Sequence, residues 1–178
     1  MKRVCVFCGS CTGTDPVYRA AAERLSTALA RRGLGLVFGG GGIGLMGVLA
    51  TSALAAGVEV IGVIPRGLMA KEIAHDSVKD LRVVGSMHER KALMAELADA
   101  FVALPGGYGT LEEFCEMLTW AQLGLHRKPC GLLNVNGYYQ PFLNQLDRQV
   151  MDGFLSPLNR SLVLEHPDLE ITAFSGVR

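Results

Sequence analysis

Residues 35–65 read GLVFGGGGIGLMGVLATSALAAGVEVIGVIP, in which two apolar runs flank a glycine-rich turn and a helical pattern. The spacing predicts a strand over Gly35–Phe38, a helix from about Leu45 to Ala56 that Gly57 ends, and a strand over Val58–Ile64. The second strand is nearly unbroken in apolar residues, which is typical of a strand buried on both faces of a parallel sheet. This stretch therefore predicts a βαβ unit with a right-handed crossover.

The same alternation of strand and helix continues on both sides of this unit. Before it, the pattern predicts a strand over Lys2–Cys8 and a helix over Asp15–Arg32, with Asp15 as its N-cap. After it, the predicted elements are, in order, Leu81–Val84, Met87–Leu97, Ala100–Leu104, Leu111–Leu125, Gly131–Val135 and Tyr139–Met151. The alternation predicts an α/β fold, a Rossmann-like, doubly wound, mainly parallel sheet with helices on both faces. A chain of 178 residues is expected to form a single domain over residues 1–178.

The charge balance limits which classes of binding partner the sequence predicts. Lysine plus arginine and aspartate plus glutamate each number 17, so the formal net charge is zero. Without an excess of positive charge or a basic stripe, neither nucleic acid nor an anionic membrane is a predicted partner. No apolar stretch approaches the roughly 20 residues of a spanning helix, and the first apolar run is too short for a signal peptide, so a cytoplasmic protein is expected.

The cysteines and histidines indicate neither disulfides nor a metal site. The five cysteines are an odd number at scattered positions. Cys5, Cys8 and Cys11 form a CxxCxxC run, but a cluster normally needs a fourth ligand nearby. The preferred interpretation places Cys5 and Cys8 in a buried strand and Cys11 in the loop after it. The four histidines share no HExxH-type spacing.

Three of the predicted strand-to-helix turns contain glycine: Gly9–Thr14, Gly39–Gly44 and Pro105–Thr110. In doubly wound sheets, ligands bind outside the carboxyl ends of the strands, and glycine lets backbone N–H groups approach an anion there. The candidate ligand contacts in these turns are Gly9, Ser10, Gly40, Gly41 and Gly106. The turn at 39–44 lacks the acidic partner that dinucleotide binding requires, and no Gly-Lys-Ser/Thr follows as in a P-loop. A tight turn without a ligand is the alternative there.

The helix predicted after the third turn carries the carboxylates Glu112, Glu113 and Glu116. Thr110 precedes Glu113 by three residues, which is the spacing of a capping box, so capping alone could explain Glu113. The predicted buried stripe consists of Leu111, Phe114, Cys115 and Leu118. Glu113 and Glu116 would then face the mouth of the turn, where a carboxylate can act as a general base or orient water.

Arg90 and Lys91 supply the opposing charges at the start of the preceding helix. A guanidinium binds phosphate or carboxylate with two parallel hydrogen bonds. The alternative for both residues is an exposed, solvated helix face.

Residues 105–113, PGGYGTLEE, resemble the PGGxGTxxE signature of the LONELY GUY family, the cytokinin riboside 5′-monophosphate phosphoribohydrolases. Further segments resemble the same family in order: Phe7–Ser10, Gly39–Gly41, Gly44–Gly47, Val63–Pro65, Met87–Lys91 and Thr119–Gly124. The resemblance covers the chain from Val4 to about Asn159 and implies the Rossmann-like fold that the alternation predicts.

The resemblance also implies an activity, which is hydrolysis of the N-glycosidic bond of adenosine 5′-monophosphates, plain or N6-substituted, to the free base (a cytokinin or adenine) and ribose 5-phosphate. It places the two catalytic positions at Arg90 and Glu113. The substrate contacts that it implies are Glu72, Lys91, Gly107, Tyr108, Gly109, Thr110, Leu111, Glu112 and Thr119. Family members have often carried the label lysine decarboxylase, but no lysine here has the context of a pyridoxal phosphate site, so no cofactor is expected.

A homodimer is expected, because family members are commonly dimers and because Met117 and Trp120 lie off the predicted core stripe. The competing function is a nucleotide or cofactor carrier without chemistry, such as the molybdenum-cofactor carriers, which resemble this chain through the glycine-rich loops. A carrier does not need the pair of Arg90 and Glu113, so that pair discriminates between the two functions.

Overall fold

The computed structural model describes residues 2–69 and 74–166. Within these residues, seven strands form one sheet in the order β4-β3-β2-β1-β5-β6-β7, and every neighbouring pair is parallel. The strands are β1 Arg3–Phe7, β2 Gly35–Phe38, β3 Val60–Pro65, β4 Asp80–Val84, β5 Ala100–Ala103, β6 Cys130–Leu133 and β7 Val163–His166. The predicted fold class is confirmed.

Helices cover both faces of the sheet. They are α1 Pro16–Arg31, α2 Gly44–Ala55, α3 Met87–Leu97, α4 Tyr108–Gln122, α5 Gln140–Met151 and α6 Pro157–Arg160. Alternate residues of β1 point to opposite faces, as the pleat requires. Val4 and Val6 pack with α1 and α2, whereas Cys5 and Phe7 pack with α3, α4 and α5. No described helix is long and apolar enough to cross a membrane.

The chain order reverses beside β1. Strands β2 to β4 extend the sheet on one side of β1, and β5 to β7 extend it on the other. The loops that leave the carboxyl ends of β1 and β5 therefore diverge, because their helices lie on opposite faces. Such a switch point opens a crevice at the edge of the sheet.

The start of α4 differs from the prediction. The helix begins at Tyr108 rather than Leu111, and its N-cap is Gly107, without a side-chain hydrogen bond. The predicted capping role of Thr110 is therefore wrong. The buried residues of the helix are Thr110, Glu113, Phe114 and Met117, so two polar residues lie on the face that the apolar pattern could not identify.

A further expectation was wrong. Met117 is buried in the core, so it lies on the core face of α4 rather than off it, and Trp120 is half-buried against the same core. The segment after Gly153, for which no element was predicted, contains α6 and the edge strand β7. Only four residues of β7 pair with β6, and polar Glu165 and His166 interrupt its apolar pattern.

The predicted burial of the first cysteines is confirmed. Cys5 lies in β1 and Cys8 directly after it, both buried, and Cys11 is exposed in the loop that follows. Cys5 and Cys8 belong to the clusters on opposite faces of the sheet, which separates the first two thiols of the CxxCxxC run. Within the described residues, no group of three or more ligand side chains could hold a metal ion.

Candidate functional site

A cavity of about 280 Å³ lies in the crevice at the switch point. Its walls are the loop after β1, the loop after β5 and two tyrosines. The lining residues include Gly9, Ser10, Gly106, Gly107, Tyr18 and Tyr138. The first and third of the glycine-rich turns thus line one cavity, at the edge where parallel sheets bind ligands.

The N-terminus of α4 presents unpaired donors at this edge. Within the described parts of the chain, no acceptor pairs with the backbone N–H groups of residues 107 to 110. Asp15 and Ser86 cap α1 and α3 through their side chains, so those helix starts are partly satisfied by the protein itself. Four consecutive free N–H groups at the positive end of a helix dipole favour an anion such as phosphate.

The glycines of the third turn have two different physical roles. A Cβ on Gly106 would lie 2.1 Å from Oγ1 of Thr110 and 2.8 Å from the backbone nitrogen of Gly9, so packing requires glycine there. A Cβ on Gly107 or Gly109 would meet nothing within 4 Å. The space beside these two glycines is therefore open to a ligand.

Buried polar and charged side chains lie on the side of these loops that faces away from the cavity. Six polar or charged side chains are buried among the described residues, and four of them are Arg90, Lys91, Thr110 and Glu113. Burying a charge costs several kcal/mol unless partners compensate, so such residues concentrate where function needs them. All four are among the site residues predicted from the sequence.

Arg90 reaches from α3 to the carboxyl end of β2. Its Nη2 donates a hydrogen bond of 2.8 Å to the backbone oxygen of Gly39, and Nη1 lies 3.8 Å from Sδ of Met87. A Cβ on Gly39 would stand 2.0 Å from Nη2. Gly39 therefore provides both an acceptor and the room for the guanidinium, which excludes the solvated-face alternative for Arg90.

Glu113 lies on the buried face of α4, near the carboxyl end of β1. Burial, followed by the negative charge of Glu113, raises the pKa of the Cys8 thiol, and the positive charge of Arg90 opposes that rise. The same two charges act on Cys5 in the same directions. Arg90 and Glu113 therefore lie around the same end of β1, although they come from different helices.

Lys91 binds two carboxylates of α4. Its ammonium is buried and forms ion pairs with Glu112 and, at 3.0 Å, with Oε2 of Glu116. Burial lowers the pKa of Lys91, but the contacts with Glu112 and Glu116 raise it by more, so the pKa lies above its ordinary value. Lys91 thus stays cationic and links α3 to the face of α4 beside the turn.

The structure does not bring every predicted contact to the cavity. Gly40 and Gly41 are buried, and they pair with the chain itself through His75 and Ala74. Gly9 lines the cavity, but its N–H donates to the oxygen of Pro105 at 3.1 Å and is not available to a ligand.

Three of the remaining predicted contacts lie on α4. Tyr108 is 95% exposed, and Leu111 is partly buried. Thr119 is exposed, with its hydroxyl on the oxygen of Cys115, and it lies roughly 13 Å along the helix axis from Thr110 at 1.5 Å per residue. Glu72 lies outside the described residues.

Sequence reasoning missed three residues at this site. The sequence pattern places Gly39 in a turn but does not indicate its contact with Arg90, and it does not indicate Tyr18 as a residue of the site. Tyr138 follows the sixth strand and donates its hydroxyl to the oxygen of Gly106 at 2.6 Å. The rule that ligands bind at the carboxyl ends of strands points to Tyr138, but its loop lacks the glycine run that marks the other turns.

Comparisons with solved structures identify the same architecture. The molybdenum cofactor carrier protein of Chlamydomonas reinhardtii matches with a TM-score of 0.72 and 24% identity, over 99% of this chain and 95% of that one. The molybdenum cofactor binding protein of Rippkaea orientalis matches with a TM-score of 0.72 and 22% identity, over 99% and 98%. At these identities the likeness shows the fold alone.

Sequence comparisons are more specific. A family model described as "Possible lysine decarboxylase" matches residues 46–173. The chain is 52% identical to the cytokinin riboside 5′-monophosphate phosphoribohydrolase LOG7 of Arabidopsis thaliana, over 94% of this chain and 77% of the relative. It is 56% identical to the probable cytokinin riboside 5′-monophosphate phosphoribohydrolase LOGL9 of Oryza sativa subsp. japonica, over 94% and 74%. The chain therefore belongs to the LONELY GUY family of phosphoribohydrolases, whose family model keeps the older description of a lysine decarboxylase.

Proposed function

We propose that this protein hydrolyses the N-glycosidic bond of adenosine 5′-monophosphates, plain or N6-substituted, releasing the free base (adenine or a cytokinin) and ribose 5-phosphate. The observation that carries the proposal is the burial of Arg90 and Glu113 around the end of β1, beside the free N–H groups of α4. The relatives that share about half of the sequence are named for this activity.

The 5′-phosphate binds at the start of α4 in this proposal. The N–H groups of residues 107–110 have no acceptor within the described residues, and the open space beside Gly107 and Gly109 admits the phosphate oxygens. Gly106, Ser10 and Gly9 line the crevice on the other side of the turn. Lys91, ion-paired with Glu112 and Glu116, fixes the face of α4 beside the turn.

Glu113 faces the ribose and acts on the reacting bond. Cleavage of a glycosidic bond passes through a cation-like sugar, which a nearby carboxylate stabilises. The bond between C1′ and the base nitrogen breaks with its electron pair on the base, and the oxygen of a water molecule bonds to C1′. The proton of that water passes to Glu113 and then to the departing base, while Arg90 holds the reacting groups in place.

Replacing the carboxylate tests this assignment. Glu113→Gln keeps the shape of the side chain but removes its charge, so kcat should fall by about a hundredfold to a thousandfold, as when one stabilising group is lost. Arg90→Ala should lower kcat/KM by a similar factor. Base release from AMP and N6-prenylated AMP, followed by chromatography, measures both.

The control is Glu23→Gln, which removes an exposed carboxylate that pairs with Arg19 on α1. This variant should cleave AMP at the parent rate. If Glu113→Gln also does so, Glu113 does not act on the reacting bond. Tight nucleotide binding by the parent without any base release would instead identify a carrier.

We also propose that the protein is a cytoplasmic homodimer that acts as one domain. Five free thiols, three of them buried, fit a reducing compartment. Large apolar side chains are exposed after α4 and around α6: Leu123, Leu125, Met151, Phe154 and Leu158. Residues of α4, α5 and the segment after them also line a groove of about 190 Å³. Such apolar exposure favours a second copy of the chain.

Sedimentation equilibrium tests the dimer. Phe154 is 86% exposed, so Phe154→Glu should remove an apolar contact and yield monomers. Val83→Glu, on β4 at the opposite end of the sheet, is the matched control and should leave the mass unchanged. A parent protein that sediments as a monomer at every concentration would contradict the proposal.

A further inference from the structure

Tyr138 joins the loop after β6 to the turn that starts α4. Its hydroxyl donates a hydrogen bond of 2.6 Å to the backbone oxygen of Gly106, a residue 32 positions earlier in the chain. Its ring packs edge-on against Tyr18, with centroids 5.7 Å apart, and against Tyr139, with centroids 5.0 Å apart. The side chain lines the same cavity as Gly106 and Gly107.

The hydrogen bond fixes the orientation of one peptide unit. The described peptide bonds are all trans, so the oxygen of Gly106 and the N–H of Gly107 point in opposite directions. Two consecutive glycines let this unit rotate more easily than any other dipeptide, because neither residue has a Cβ. A rotated unit would turn an oxygen, rather than an N–H, toward a bound anion and would repel it.

We propose that Tyr138 is a positioning residue for substrate binding. It holds the peptide between Gly106 and Gly107 so that the N–H of Gly107 joins those of residues 108–110 around the phosphate. The proposal deepens the function proposed above and rests on it. Tyr138 does not touch the reacting atoms and acts only through the turn.

Neighbouring contacts support the segment that carries Tyr138. The Oδ1 atom of Asn134 accepts a hydrogen bond of 2.7 Å from the backbone nitrogen of Tyr139, and its Nδ2 donates one of 2.7 Å to Glu165 on β7. On the other side, the ring of Tyr18 packs edge-on against that of Tyr138. These contacts orient the Tyr138 hydroxyl toward the oxygen of Gly106 although the side chain is 41% exposed.

Tyr138→Phe removes the hydroxyl and keeps the ring. Tyr139→Phe is the matched control, because the Tyr139 hydroxyl donates to the oxygen of Leu104 at 2.6 Å but is buried beneath the turn. In Tyr138→Phe, the KM for AMP and the Kd for ribose 5-phosphate should rise about threefold to tenfold, as expected for the loss of one hydrogen bond. The kcat should stay within twofold of the parent. Tyr139→Phe should lower Tm and leave both binding constants unchanged.

Titration calorimetry with ribose 5-phosphate separates this inference from the proposed function, because it requires no turnover. A parent that binds ribose 5-phosphate but releases no base contradicts the proposed function, and Tyr138 is still judged by the Kd values. An unchanged Kd in Tyr138→Phe, or no binding by the parent, overturns the inference. A loss of Tm in Tyr138→Phe as large as that in Tyr139→Phe also overturns it, since the hydroxyl would then be structural.

Discussion

Gly109→Ala should make the protein more stable and weaken its binding of phosphate. Gly109 is the second residue of α4, has no positive φ and has nothing within 4 Å of a Cβ placed on it. Alanine there reduces the entropy of the unfolded chain, which is worth about 0.4–1 kcal/mol. For a chain of this length, that gain raises Tm by roughly 1–4 °C.

The same methyl group should weaken the binding of the ligand. The space that it fills is the space through which an anion reaches the N–H groups of residues 107–110. Loss of one charge-assisted hydrogen bond costs about 1.5–3 kcal/mol, so the Kd for ribose 5-phosphate should rise at least about tenfold. Stability and affinity should therefore change in opposite senses in one variant.

Gly106→Ala is the matched control in the same turn. Its Cβ would lie 2.1 Å from Oγ1 of Thr110, so the turn must shift, and overpacking of this kind costs about 1–3 kcal/mol. Thermal unfolding should show a lower Tm for Gly106→Ala and a higher one for Gly109→Ala. A stabilised Gly109→Ala variant that binds ribose 5-phosphate with the parent's Kd would show that the phosphate does not sit beside Gly109.

Two further predictions concern Arg90 and the pH dependence of stability. Gly39→Ala places a Cβ 2.0 Å from Nη2 of Arg90, so it should displace the guanidinium and lower kcat/KM for AMP about tenfold or more. The control is Gly67→Ala, whose Cβ meets nothing within 4 Å and which should leave kcat/KM unchanged. Equal kcat/KM values in the two variants would contradict this prediction. Burial, assisted by the charge of Lys128, lowers the pKa of His126 below its ordinary value of 6.5 despite a hydrogen bond to a backbone oxygen. The unfolded chain then binds more protons just below pH 6.5, so the contribution of His126 to stability is present above that pH and is lost as the pH falls toward its folded pKa. Urea midpoints at pH 7.5 and 5.5 should differ less in His126→Gln than in the parent, and an identical difference would refute this assignment.

Local sequence patterns determined most of the fold. The strand over Gly35–Phe38 and the helix over Met87–Leu97 have the same bounds in the structure as in the prediction. Apolar periodicity, Asp15 as an N-cap and glycine at helix ends are local signals, because each acts on neighbours within one or two turns. The glycine-rich turns could also be placed at the carboxyl ends of strands by the same means.

The buried polar face of α4 could not be predicted in this way. An apolar pattern assigns polar residues to the solvent, but Thr110 and Glu113 are buried. They face inward because the loops after β1 and β5 and the guanidinium of Arg90 surround the same end of the sheet. A charged residue becomes buried here only through contacts with segments that are distant in the sequence.

The sequence by itself determined the doubly wound sheet and the set of turns and charged residues from which a site could be built. The tertiary structure alone decided which atoms meet: Arg90 with the oxygen of Gly39, 51 residues away, and Tyr138 with the oxygen of Gly106, 32 residues away. The physical reason is that periodicity and capping act over one or two helical turns, whereas these hydrogen bonds depend on the order in which the strands assemble.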